Sequence, residues 1–388
     1  MANHVLRGVT ALVGLTVLAS LGACTPGGRP DPATPPATEV TAPPRPDFCE
    51  VTLPASWREA IRAGRITQHP GQRTHVIAAA PDGTSVFANI ERADASRQLT
   101  WLQDGGRRRT VATMPDQFTF ALWGSFDGRW LVYALTDLSR AAPHGGGGAD
   151  LYAWDSTGDG PPSRLLDQSS AAAIPVVRNG RAAWTQHTGG REFELHLYSL
   201  PDRRDRIIAR GRVTDAQFVG EDLLWYDRSD GRVRAVSAAT GETVPPPPLP
   251  AMATTAGLAT DGLTTAWVTE NQQELNVWRA GWPQAVRILR VTRPSPRPVS
   301  SPRPVPPATD AFSTVQQPAV ARDLVVFERE LAWYAADLRT GGYVRLTRDH
   351  GHAVNAPGVL TLAPVSEDEE TYAVLSLERL PPLPGCRP

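Results

Sequence analysis

One short pattern recurs seven times between residues 65 and 380, and the same point in almost every copy is marked by an aromatic side chain. Phe87, Tyr133, Trp184, Trp225, Trp267 and Phe327 end the second apolar run of the first six copies, with Leu362 in the seventh. The intervals are 46, 51, 41, 42, 60 and 35 residues. Repeats of this length are single supersecondary units. None can bury its apolar face alone, so they must stack on one another. The interval of 60 holds a Pro/Ser insertion, PSPRPVSSPRPVPP, at 294–307.

The copy at 118–168 shows the unit most clearly: an apolar run, a turn at Phe126-Asp127-Gly128, then WLVYAL, LYAW and SRLL. Other copies place the first turn at Pro81-Asp82-Gly83, Arg178-Asn179-Gly180, Gly220-Glu221-Asp222, Thr260-Asp261-Gly262, Ala321-Arg322-Asp323 and Ala356-Pro357-Gly358. Gly, Asn and Asp suit tight hairpins because they tolerate positive φ. β-Branched and aromatic alternation predicts strands, four per copy. Seven such units predict an all-β fold, a seven-bladed β-propeller, with six blades as the alternative count.

The seventh copy lacks a fourth strand. GRITQHPG at 64–71 parallels VRLTRDHG at 344–351, so the N-terminal segment is expected to close the last blade. Closure removes exposed sheet edges. Just before it, Ser56 to Gly64 carries a capping-box pattern with Glu59 and a terminal Gly, which predicts one short helix.

SFDGRWLVY at 125–133, with DLYAWD and SRLL, resembles the WD40-like (PD40-type) repeat of TolB-like propellers. DLVVFERELAWYAADLRTGGYVRLT at 323–347 does the same. The arrangement is similar to propeller lipoproteins of high-GC Gram-positive bacteria. The resemblance covers about 65–380 and implies fold; it says little about function, because propellers host many chemistries.

The first residues are a targeting segment. Arg7 precedes an apolar stretch at 8–23, shorter than the roughly 20 residues a comfortable membrane span needs. Leu21-Gly22-Ala23-Cys24 resembles a bacterial lipobox, although Gly22 stands where Ala or Ser is more usual. Three regions follow: a signal peptide at 1–23, a Pro/Thr-rich tether at 24–48 and a propeller domain at 49–388. In extended polyproline form the tether would reach about 70 Å. The expected location is the outer face of the cytoplasmic membrane, held by lipid on Cys24. Cys49 and Cys386 remain, one at each end of the folded region, and two cysteines of an exported protein are expected to pair.

Charge narrows the function. With 39 basic and 40 acidic residues the chain lacks the dominant positive field of a nucleic-acid binder. Every basic residue is Arg. The absence of Lys excludes a Walker-type phosphate loop, a Schiff-base lysine and a Ser-x-x-Lys nucleophile. No Gly-x-Ser-x-Gly elbow, His-Glu-x-x-His or paired-Cys metal motif occurs, so no catalytic residue and no cofactor is assigned. His350 and His352, with His69 at the equivalent place in the ring, are the candidate metal ligands; an exposed polar loop is the preferred account of them. The turn residues Asp82, Asp127 and Asp261 are read as turn hydrogen-bonders.

Strand tracing puts the first-to-second and third-to-fourth turns on one face, called the short-turn face below. The opposite, long-loop face carries the insertions. Arg140, His144, Glu270, Asn271, Gln273, Asp368 and Glu369 are the candidate contacts there for a protein or cell-envelope ligand. The expected function is a non-catalytic, membrane-anchored binding scaffold. The alternative is a propeller enzyme acting on a glycan or using a quinone cofactor.

Overall fold

The computed structural model describes residues 48–66, 72–141, 147–169, 174–249, 252, 255–291, 315–347, 352–356, 358–363 and 372–386. Seven sheets succeed one another along the chain, at 73–113, 119–169, 176–211, 213–244, 255–290, 315–345 and 352–376. Within each sheet the strands lie in chain order as antiparallel neighbours, apart from one N-terminal strand added to blade six. The first strands of blades one to six pack in succession, and that of blade seven packs on that of blade one. The result is a closed ring of seven blades whose first strands line the centre.

The recurring aromatics explain why the copies stack. Phe87, Tyr133, Trp184, Trp225, Trp267 and Phe327 are all buried, as is Leu362. Four meet a ring on the third strand of their own blade: Phe87 with Trp101, Tyr133 with Tyr152, Trp184 with His196 and Phe327 with Tyr334, at 5.1–5.7 Å between centroids. Such cross-strand pairs stiffen one face of a sheet and present a broad apolar surface to the next blade. Burial of these large side chains between blades is the main favourable contribution to the ring.

Innermost strands are bent at a common point. Blades one, two, four, five and six each carry a register irregularity there, between Val76 and Ala78, Ala121 and Trp123, Thr214 and Gln217, Thr255 and Gly257, and Gln316 and Ala319. A bulge adds local twist, which a strand at the narrow centre of a ring needs.

The N-terminal segment meets the last blade as expected, through one bridge among the described residues. Strands His352–Ala356, Val359–Ala363 and Ala373–Ser376 form a three-stranded sheet. Arg65 bridges Ala373, Ile66 N–H donates to Tyr372 O, and Val374 N–H donates to Gly64 O. A second contribution was not legible in the repeat: Cys49–Glu50 adds a fifth strand, in parallel, to blade six.

Between these two pieces lies the helix Ala55–Ala63. It starts one residue before the expected cap. Pro54 stands at the N-cap with no side-chain cap bond, so Ser56 lies inside the helix and the Ser56/Glu59 capping box does not form. Pro suits the start of a helix because its missing N–H would have no partner there. Gly64 does end the helix, yet its φ is −81°, so left-handed geometry is not the reason for glycine. A Cβ at Gly64 would stand 2.1 Å from Val374 O. Glycine is there because the backbone must approach the last strand closely.

Leaving the last strand, the chain runs over blades seven and six as a strap. Trp57 Nε1–H donates to Pro381 O at 2.9 Å, and Leu383 N–H donates to Asp337 Oδ2 at 3.0 Å. Asp337 is fully buried and also accepts from Arg339. The strap ends at Cys386, which forms a disulfide with Cys49, with Cα atoms 5.7 Å apart. Cys49 pairs with Gly342 at the beginning of the fourth strand of blade six, which places both chain ends of the ring on the short-turn face.

Candidate functional site

Carboxylates recur in the first turns, and they hold the turns and the ring together. Asp82 Oδ1 accepts from Thr84 N–H and its hydroxyl. Asp127 Oδ1 accepts from the N–H groups of Arg129 and Trp130, while Oδ2 accepts from Gly180 N–H of blade three at 2.9 Å. Asp261 repeats this: Oδ1 takes Leu263 and Thr264 N–H, and Oδ2 takes Arg322 N–H of blade six at 3.1 Å. Asn179 donates to Glu221 of blade four at 3.0 Å, and Gln217 Oε1 accepts from Thr260 N–H of blade five at 2.8 Å. Asp127, Asn179, Gln217 and Asp261 thus each tie their own blade to the next, while Asp82 holds its own turn.

Blades one and two are joined from deeper in the ring. Asn89 is buried, donates through Nδ2 to Ala121 O and accepts Ala121 N–H at 3.2 Å. Replacing Asn89 with Leu leaves both Ala121 groups without this partner. We expect a loss of about 1–3 kcal/mol, read as a lower denaturation midpoint. An unchanged midpoint would show that the pair is energetically neutral.

A cavity of about 600 Å³ occupies the centre of the ring, with a mouth among the first turns. Its walls are largely aliphatic, including Val176, Leu258, Ala319 and Leu377. Three carboxylates and one guanidinium line it: Asp127, Asp215, Asp261 and Arg178. Asp127 and Asp261 stand at the mouth, occupied by the turn bonds above.

Asp215 is different. It sits within the bulge of the blade-four inner strand, with a φ of +56°, a left-handed conformation uncommon for a residue with a side chain. Thr214 Oγ1 donates to its Oδ2 at 3.1 Å. Burial pushes its carboxyl up to about 6, against the opposing influence of the Thr214 hydroxyl, Arg228 and the Leu258 N–H. Arg228 itself donates to Ala256 O of blade five at 3.0 Å. The corresponding bulges hold Ile77, Leu122 and Ala256, and in blade six Gln317 and Pro318. Asp215 is the acid among these five bulges. Sequence inspection passed over Asp215; a bulge-by-bulge alignment of the copies is the signal that exposes it.

On the long-loop face the expected contacts divide. Glu270, Asn271 and Gln273 lie in a tight connection between strands Thr264–Thr269 and Glu274–Arg279. Asn271 organises it: Oδ1 accepts from Thr269 Oγ1 at 2.7 Å and from Gln273 N–H at 3.1 Å. The carbonyls of Gln272 and Gln273 then accept Val315 N–H and Val291 N–H, which tie the end of blade five and the start of blade six to this turn. The insertion at Arg140 to Ala149 is strand at both of its ends. Strands Trp130–Ala141 and Gly147–Asp155 continue into it, with Ala141 paired to Gly147, so it lengthens the blade-two hairpin. Arg140 lies on the first of these strands. His144, Asp368 and Glu369 lie outside the described residues, as do His69 and His350. The backbone of His352 begins the inner strand of blade seven. Among the described residues no group of three His, Cys, Asp or Glu side chains could hold a metal ion.

Apolar groups also reach solvent on this face. Phe118 and Leu138 are 48% and 62% exposed, and Leu138 N–H donates to Phe118 O at 3.1 Å. Ile174, 61% exposed, precedes the inner strand of blade three and so lies at the same end of the ring.

Seven sheets in a ring around a central cavity define a β-propeller. No family model matches the chain, and no curated protein matches it. Solved structures similar to it include an oligogalacturonate lyase in complex with manganese, 15% identical over 70% of this chain and 78% of that one, with a TM-score of 0.48. A prolyl endopeptidase is 11% identical over 70% of this chain and 46% of that one, with a TM-score of 0.41. A nidogen/laminin complex chain is 14% identical over 54% and 78%, with a TM-score of 0.36.

Proposed function

We propose that the chain is a lipid-anchored scaffold, related to the TolB-like propeller lipoproteins, whose long-loop face binds a protein or cell-envelope ligand outside the cytoplasmic membrane. The observation that carries this is the exposure of Phe118, Leu138 and Ile174 at one end of a rigid ring, next to the lengthened blade-two hairpin. Exposed apolar groups gathered on a rigid frame favour a binding role. The chain ends occupy the opposite, short-turn face, so a tether leaving from there directs the apolar groups away from the membrane. The Leu21-Gly22-Ala23-Cys24 sequence supports the anchor, and the Cys49–Cys386 disulfide agrees with an oxidising compartment.

Two measurements test this. Cys24→Ala should abolish metabolic lipid labelling and release the protein from membranes; labelling and fractionation like the parent would refute the anchor. Cross-linking in intact cells should recover a stoichiometric companion, and Phe118→Ser with Leu138→Asp should lower that recovery at least tenfold. Equal recovery by a folded double variant would remove the long-loop face from consideration.

A further inference from the structure

We propose that the central cavity is a binding site for a small amphipathic ammonium compound, with its apolar body against the aliphatic walls and its cationic head at Asp215. Four observations converge on it. The cavity, about 600 Å³, has the size of ordinary small-molecule sites. Its walls combine aliphatic side chains with polar groups that include Ser125, Asn179, Gln217 and Thr260, a lining suited to an amphipathic ligand. Its lining charge is negative, with Asp127, Asp215 and Asp261 against Arg178, which favours a cation over an anion. Asp215, finally, is the acid among five inner-strand bulges whose other members are Ile77, Leu122, Ala256 and, in blade six, Gln317 and Pro318.

Asp215 adopts that position at a cost twice over. Its backbone is held at a φ of +56°. Its carboxylate is poorly solvated, which raises its pKa to about 6. An aliphatic residue would fill the bulge without the second of these costs. A ligand ammonium supplies what the carboxylate lacks there, a desolvated opposite charge at hydrogen-bonding distance. The Thr214 hydroxyl orients the carboxyl from its own strand, and the Leu258 N–H reaches it from the next blade. Arg228, just after the second strand of blade four, is the one cation with a resolved influence on Asp215, and it does not line the cavity.

An n-alkylammonium series from butyl to octyl, titrated calorimetrically into the purified protein, tests the proposal. Affinity should rise about fourfold per added methylene until the cavity is full, as expected for about 0.8 kcal/mol per buried methylene. Matched n-alkyl alcohols and carboxylates should bind at least tenfold more weakly than the ammonium of equal length. Asp215→Asn should weaken the ammonium at least tenfold at pH 8 and leave the alcohols unchanged. Affinity of the parent for the ammonium should fall as pH drops through about 6, because protonation removes the charge. Binding that ignores pH, or that is equal for ammonium and carboxylate, overturns the assignment whatever the variant does. So does an Asp215→Asn protein that binds as the parent does. A channel-filling Ala319→Phe variant guards against surface binding: loss of the signal supports the site, and full retention rejects it.

Discussion

Protein in which both Cys49 and Cys386 are replaced by Ser is expected to lose up to about 5 kcal/mol of stability. The disulfide joins residues separated by 337 positions, so it closes a loop almost as long as the folded region. Chain-entropy bookkeeping gives about 6 kcal/mol for such a loop, and real effects reach at most about 5 and are often smaller. The local structure says where the loss will be felt. Blade seven holds its fourth strand through one bridge and two flanking hydrogen bonds, and blade six holds Cys49–Glu50 as a two-residue edge. The strap is otherwise anchored by the Trp57–Pro381 and Leu383–Asp337 bonds and by the buried Leu383 side chain. Denaturant unfolding of the double variant should show a lower midpoint, and limited proteolysis should cut first at 48–66 and 377–386. A midpoint equal to that of the oxidised parent would mean that ring closure is secured without the covalent bond.

Asp215→Asn is expected to stabilise the protein, and only at neutral to alkaline pH. In the folded state the carboxyl is raised from the ordinary 3.8 to about 6, mainly because burial disfavours its charge. A carboxyl that ionises more easily in the unfolded chain opposes folding once the unfolded group has lost its proton. The opposition is absent below about pH 4, grows between pH 4 and 6, and is complete above pH 6. Two pH units correspond to about 3 kcal/mol, an upper figure for so enclosed a group. Asn matches Asp in shape, carries no charge, and its carbonyl still accepts from Thr214. The variant should therefore gain up to about 3 kcal/mol at pH 8 and almost nothing at pH 4, by denaturant unfolding at each pH. A variant less stable than the parent at pH 8, or a gain independent of pH, would contradict the assignment of charge burial at this site. The same substitution is predicted to cost ligand binding, so stability and affinity should move in opposite directions. Groups placed for binding commonly behave this way.

Some features of the ring could be read directly from the chain because they are local. Period-two alternation, Gly and Asp at seven first turns, and an aromatic at one place per copy each report on a few consecutive residues. The turns confirm the physics: Gly83, Gly128, Gly180, Gly220, Gly262 and Gly358 all have positive φ, and Arg322 occupies the same region without being glycine. The blade count follows from the number of copies. Closure by an N-terminal strand follows from the missing fourth strand in the last one.

Other features needed the fold because they depend on what one blade does to another. Asp127 and Asp261 read as turn residues, and they are; their second oxygens reach Gly180 and Arg322, 53 and 61 positions away. Nothing near Ser56 announces that Pro54 starts the helix, or that Gly64 is required by the approach of Val374 rather than by a left-handed cap. The insertion at Arg140 to Ala149 looked like a loop because of its glycines, yet both of its ends belong to the blade-two hairpin. Asp215 is the sharpest case. A single Asp in a polar stretch has no distinguishing neighbours in the sequence. Only closing seven inner strands into a ring sets it among aliphatic walls and thins the water around it, which raises its pKa. Sequence alone thus determined the repeat, the turns and the architecture, which are set by short-range preference. Tertiary structure decided which polar groups became latches and which became enclosed, because burial and charge depend on neighbours the chain brings in from far away.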